Sequence, residues 1–477
     1  MRLLRNTLVA LVTPFCLIPY CPSWAQMQIN NPAASVTAPT ETSRKPGTGN
    51  LANPLDYGAD PAGATDSSGA INTAAAVTAN GVRVNAYLPA GTYHVARQLN
   101  IGAGQCLYGD GRGNTTLTVD ADFDPAAQGV ISLTGREQEG PCVRDLTISF
   151  AQPGDQSARA SFKTLAQGCT TGPGGSGCKY PPALYIATAD RFRLANLLIK
   201  AAWSGIANAP GNNLGGFWLD TIEMGALNVG LAVDNGKDFC HIKGFHFWPF
   251  GIGGNLFKGV YSDGNTYAAQ IGECDGLSVI DFTTFSGRVA LTSNFSWGMF
   301  TNLMLDGHNS TLEVAANKWL QLQGVYTTGT ATGANTHCQI DIGAGNVRTI
   351  ITNLFSVDSG GGRTGSALCV AGGTVSLSGG IIVPVGASTI AIRQTGGLLS
   401  VRGVTLQLGG EPWTVPTISS AAGTLIFQNN DFSASHGDVG AVSISTDSAG
   451  NAVNGNQFNG WKFTPPGNLG AYGPNGQ

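Results

Sequence analysis

From residue 80 onward, apolar and polar residues alternate in short runs bounded by Gly, Asn and Asp, and few stretches place apolar residues at i, i+3, i+4, i+7. The runs share a form. In FRLANLLIK, FWLDTIEM, CHIKGFHF and GMFTNLML the alternation is interrupted by one turn-forming residue. Such residues recur at Asp145, Asn196, Thr221, Gly244, Asp281, Asn302, Gly324, Asn353, Gly380, Gly403, Asp431 and Gln457, a few tens of residues apart. Strand-like units recurring at a nearly constant period cannot bury their apolar sides alone, so they stack on one another. The pattern predicts an all-β solenoid in which one linear core serves a chain of 477 residues.

The ends read differently. Leu8 to Tyr20 is a short apolar run after Arg2 and Arg5, followed by Ser23-Trp24-Ala25, which describes a secretory signal over residues 1–25 and is too short for a good membrane span. Residues 26–54 lack periodicity and read as a disordered linker. Order is expected from Leu55, and an alanine-rich helix over about Ser67–Ala79 is expected to cap the open end of the stack over residues 55–460. Residues 461–477 read as an irregular tail.

Composition narrows the partners. Charged residues make up 11% of the chain and the net charge is −4, with no run of Lys or Arg to track phosphates, so nucleic acid is not expected. No stable membrane insertion is expected once the signal is removed. Outside the leader stand Cys106, Cys142, Cys169, Cys178, Cys240, Cys274, Cys338 and Cys369, an even set suited to disulfides in a secreted or periplasmic protein. Cys169–Cys178 is the favoured pair because its loop is short and flexible. Cys240–Cys274 and Cys338–Cys369 follow because each is separated by about one repeat.

DYGADPAGATDSSGAINTA, AYLPAGTYHVARQLNI and CLYGDGRGNTTL, spanning about Leu55 to Thr118, resemble the N-terminal signature of the pectin-lyase-like right-handed parallel β-helix superfamily. More narrowly they resemble its rhamnogalacturonase, epimerase and pectate-lyase-type group, which includes many phage tailspikes. The resemblance implies turns of three parallel strands with polysaccharide bound along an outer groove. It implies no single reaction, because hydrolases, lyases, epimerases and plain binders share the signature. The Asn-Thr-Asp, Asp-Asp, Gly-His-Gly and Arg-Ile-Lys elements of polygalacturonase-type hydrolases are absent from this sequence.

Aligning the repeats on their turn residues stacks outward side chains into three columns. These are Arg193, Trp218 and His241; Ala195, Asp220 and Lys243; and Leu198, Glu223 and His246, with Trp248 two residues beyond. Asp220, Glu223, His246 and Lys243 are the candidate catalytic residues, and Trp218, His241, Trp248, Arg193 and Tyr261 the candidate sugar-binding ones. Two carboxylates suit glycoside hydrolysis, while a histidine base beside a cation suits elimination from a uronate. Asp220–Lys243 and Glu223–His246 would equally make ordinary cross-strand ion pairs. The insert from Gly251 to Asp275 carries Tyr261, Asp263, Tyr267, Glu273 and Asp275, and is expected to wall the groove; no cofactor or metal is expected, Ca2+ on these acidic residues being the lesser alternative. Asp306 and His308 are alternates, and Asp281 is expected only to form its turn. The expected function is an exported polysaccharide-degrading hydrolase or lyase, the rivals being a non-catalytic carbohydrate-binding or adhesion β-helix and a tailspike-like protein.

Overall fold

The computed structural model describes residues 51–472 apart from 80, 137–139, 153–167, 171–176, 253–263, 308, 329–337, 358–364, 385–389, 409–415, 435–440, 447–450, 460–461 and 465–470. The signal and linker assignments up to residue 50 lie outside this set, as do Tyr261, Asp263 and His308. The described chain is a right-handed parallel β-helix. Of its described strands, 32 belong to one hydrogen-bonded ladder that wraps into three faces, and the others form two small antiparallel pairs. Long strands such as Phe192–Asn208 and Phe217–Val233 contribute to all three faces, because the chain turns corners without leaving the ladder.

Parallel, in-register pairing turns sequence alternation into columns. On the first face Val143, Leu194, Leu219, Ile242, Val279, Phe300, Leu322, Ile351, Leu377, Val401 and Phe427 are successive register partners. All are buried. Each such side chain contributes roughly 1.5–3 kcal/mol by leaving water. On the second face Phe245 and Phe282 stack with ring centroids 4.7 Å apart.

The corner between the first and second faces is made by residues in the left-handed region. Asp145, Asn196, Thr221, Gly244, Asp281, Asn302, Gly324, Asn353, Gly379 and Gly403 hold this corner with positive φ; the expected Gly380 stands one residue past it, paired with Leu354. Gly enters this region without strain, while Asn and Asp tolerate it. Some of their amides also bridge turns, Asn196 Nδ2 donating to Asp145 Oδ1 at 2.8 Å and Asn302 Nδ2 to Asp281 Oδ1 at 2.7 Å. The series slips at its end. Asp431 and Gln457 pair as an extended bridge, and the left-handed positions are Asn429 and Gly455.

The helix runs over Ser68–Ala76, shorter than expected, and is followed by a small hairpin pairing Thr78–Ala79 with Val82–Arg83. It seats on the first turn by burying Ile71, Ala74 and Ala75, with Gln105 Nε2 donating to the Ala75 carbonyl at 2.6 Å and the Val84 carbonyl at 2.8 Å. Pairing begins at Leu51–Ala52, on Asn85–Ala86, rather than at Leu55. At the other end Lys462–Thr464 and Ala471–Tyr472 add parallel pairs to the stack where an irregular tail was expected.

Disulfides join Cys240–Cys274 and Cys338–Cys369 as expected from their spacing, and Cys106–Cys142, a pair left unassigned. Cys178 is disulfide-bonded and lies opposite Cys169 in an antiparallel pair.

Candidate functional site

The three columns expected from the sequence are register columns in the structure. Arg193, Trp218 and His241 are partners on successive turns, as are Ala195, Asp220 and Lys243, and Leu198, Glu223 and His246. Thr221 divides them. In Phe217–Val233 the alternation breaks at Asp220 and Thr221, both exposed, and resumes with Ile222 buried. The first two columns therefore stand on the first face and the third on the second face.

On the first face Arg193, His241, Asp220 and Lys243 are exposed, while Trp218 and Ala195 are half-buried. The Arg193 guanidinium lies 4.8 Å over the Trp218 ring, which stacks on His241 at 6.2 Å and meets Phe239 edge-on at 4.7 Å. Asp220 accepts a hydrogen bond from the Thr221 hydroxyl at 2.9 Å. Among the described residues no ion pair joins Asp220 to Lys243, and no hydrogen bond joins Asp220 to Glu223. The two carboxylates serve different faces.

The second face is more enclosed. Glu223, His246 and Trp248 are half-buried. Arg112, from the loop before strand Thr115–Val119, places Nη1 3.2 Å from Glu223 Oε2. That loop is held by the Thr147 hydroxyl, which donates to the Arg112 carbonyl at 2.5 Å. Burial pushes the His246 imidazole below its ordinary value of 6.5; Glu223 opposes this and Arg112 adds to it. The shift favours the neutral imidazole. Trp248 lies 5.2 Å from His246 and packs on Phe250 and Phe285, with Phe250 exposed. In the sequence Arg112 stands only as one residue of the CLYGDGRGNTTL motif. With a sequence separation of 111 residues from Glu223, no local pattern could signal the contact.

The other candidates are placed as follows. Asp281 forms its left-handed corner. Glu273 pairs with Lys237, Asp306 accepts from the Thr328 hydroxyl, and the Tyr267 ring lies under Arg288 at 4.8 Å. No group of three or more His, Cys, Asp or Glu among the described residues is arranged to hold a metal ion. A second set of ionisable residues escaped the sequence reading. On the third face Glu313 and Asp341 are register partners, and Arg288 pairs with Glu313.

Residues 51–152 match the family model described as rhamnogalacturonase A/epimerase, pectate lyase-like. No curated protein matches the sequence. Among solved structures, the catalytic unit of an α-1,3-glucanase from Streptomyces thermodiastaticus aligns with 13% identity and TM-score 0.40, over 90% of this chain and 69% of that one. The A-module of mannuronan C-5 epimerase AlgE4 from Azotobacter vinelandii aligns with 13% identity and TM-score 0.38, over 90% and 99%. The surface adhesin PfbA of Streptococcus pneumoniae aligns with 12% identity and TM-score 0.40, over 87% and 91%. At these values the neighbours decide nothing about this chain, whose chemistry has to be read from its own side chains. Its N-terminal portion, residues 51–152, carries the pectate-lyase-like signature of the rhamnogalacturonase A/epimerase family.

Proposed function

We propose that this chain is an exported enzyme that cleaves a uronate-containing polysaccharide by elimination on the second face of its coil. The observation that carries the reading is the half-buried imidazole of His246, one turn from a carboxylate that is itself bridged to a guanidinium; burial favours its neutral form. A neutral imidazole near pH 7 suits a general base. His246 takes the proton from the sugar carbon beside the carboxylate. The electron pair left behind forms the new carbon–carbon double bond, and the bond to the glycosidic oxygen breaks; that oxygen takes a proton from water. Arg112 faces the substrate carboxylate and offsets the charge that grows on it. Glu223 holds Arg112 and favours the imidazolium formed when His246 is protonated. Trp248 and the exposed Phe250 offer apolar surfaces to a sugar ring.

Hydrolysis by Asp220 and Glu223 draws less support, since these groups have separate partners on separate faces. Binding without cleavage draws support from the Arg193–Trp218–His241 stack, a platform of stacked planar groups with exposed ends around the half-buried Trp218 ring. The disulfides fit an oxidising compartment outside the cytoplasm. The test is incubation with pectin, alginate and rhamnogalacturonan, read by ultraviolet absorbance and by reducing ends. Unsaturated ends support elimination. Tight binding with no chain shortening would establish the adhesion reading instead.

A further inference from the structure

We propose that the third face carries a second carbohydrate site, a hydrolytic one built on Glu313 and Asp341. Strands Leu312–Asn317 and Cys338–Asn346 are parallel neighbours that place these two carboxylates in one outward column, on strands about 4.8 Å apart. Glu313 is half-buried and Asp341 exposed. The donors around Glu313 all meet one oxygen. Arg288 Nε reaches Oε1 at 2.6 Å, Arg288 Nη2 also reaches Oε1, and the Thr311 hydroxyl donates to Oε1 at 3.2 Å. No hydrogen bond reaches Oε2 among the described residues. Arg288 is fixed in turn over the Tyr267 ring at 4.8 Å. An anchored carboxylate with one oxygen left open, one strand from a second carboxyl, is the arrangement of a nucleophile and an acid in a retaining glycosidase.

The chain also makes its longest connections at the corner that this face shares with the second. The longest connections, residues 151–183 between Phe150 and Leu184 and residues 248–266 between Phe247 and Tyr267, both lead from the second face to the third. Return connections shrink to single residues, Lys318 and Val347. Insertions in repeat proteins gather where ligands bind.

In the first step Glu313 Oε2 bonds to the anomeric carbon, the glycosidic carbon–oxygen bond breaks, and the Asp341 carboxyl gives its proton to the departing oxygen. In the second, the Asp341 carboxylate takes a proton from water, whose oxygen displaces Glu313 from the anomeric carbon. Carboxyls on adjacent strands leave little room for an intervening water, so the product keeps its anomeric configuration.

The experiment uses the intact protein with α-1,3-glucan, pectin, alginate and rhamnogalacturonan. Elimination also makes reducing ends, so only reducing ends in excess of unsaturated ends are counted. Wild type is expected to release such an excess from one of these glycans, and Glu313→Gln and Asp341→Asn each to lower it at least a hundredfold at unchanged melting temperature. A panel of 2-deoxy-2-fluoroglycosyl fluorides is expected to add one sugar mass to wild type and none to Glu313→Gln. No excess from any glycan, or an excess unchanged in either variant, overturns the proposal.

Discussion

The two sides of the Thr221 corner carry similar residue types and differ in what they do with them. On the first face Asp220, Lys243, Arg193 and His241 are exposed, and the described contacts of the set are ring stacking and one local hydrogen bond. On the second face Glu223 and His246 are half-buried, and Arg112 closes over them from a distant loop. Stacking alone therefore makes only a solvated column, worth little in stability or chemistry. Partial burial and a third group convert the same alternation into a perturbed base.

The sharpest test of that contrast is at His246. His246→Ala and Glu223→Gln are each expected to lower turnover on the responsive polysaccharide by about 100-fold or more, measured as unsaturated ends per unit time, with folding unchanged. Normal rates in both would remove the second face from consideration. Arg112→Ala comes next. It removes a positive neighbour and leaves Glu223 unopposed, so the acid limb of kcat/KM, expected below pH 6.5 in wild type, moves upward, with about a tenfold loss at pH 7. A limb that stays in place would show that His246 does not set it.

On the first face Asp220→Asn and Lys243→Ala are expected to change activity less than about threefold and stability by no more than about 0.5 kcal/mol in a denaturant melt. A larger loss in either would erase the distinction between the faces. At the corner itself, Thr221 is β-branched with φ 56°. Thr221→Gly relieves that strain against a more flexible unfolded chain and a lost hydroxyl bond, for a net stabilisation of about 1 kcal/mol or less. The smallest effect is a pH dependence of stability. Because the folded His246 value lies below the unfolded one, the unfolded chain binds the proton first as pH falls below 6.5. Wild type therefore loses slightly more stability than His246→Gln between pH 7 and 5, seen as a difference in melting temperature.

The coil and its columns were legible because the left-handed corners are written in Gly, Asn and Asp, and each corner fixes the register of both flanking strands. Legibility failed where that code is ambiguous. Around Asn429, Asn430 and Asp431 a shift of two residues preserves the alternation, so pattern alone could not choose the corner. It also failed where contacts ignore the repeat. Arg112 reaches Glu223 from a loop whose strand lies three turns away, and Glu313 meets Arg288 and Asp341 on a face whose strands were not aligned from the sequence.

The disulfides give this coil an unusual mode of failure. A solenoid coheres through neighbour contacts, so it can unzip from a frayed end one layer at a time. Cys106–Cys142, Cys240–Cys274 and Cys338–Cys369 each stitch one layer to the next, near the start, the middle and the later part of the stack. They divide it into compartments, and an unravelling front that starts at either terminus halts at a covalent stop. Reductant would merge those compartments into one long zipper.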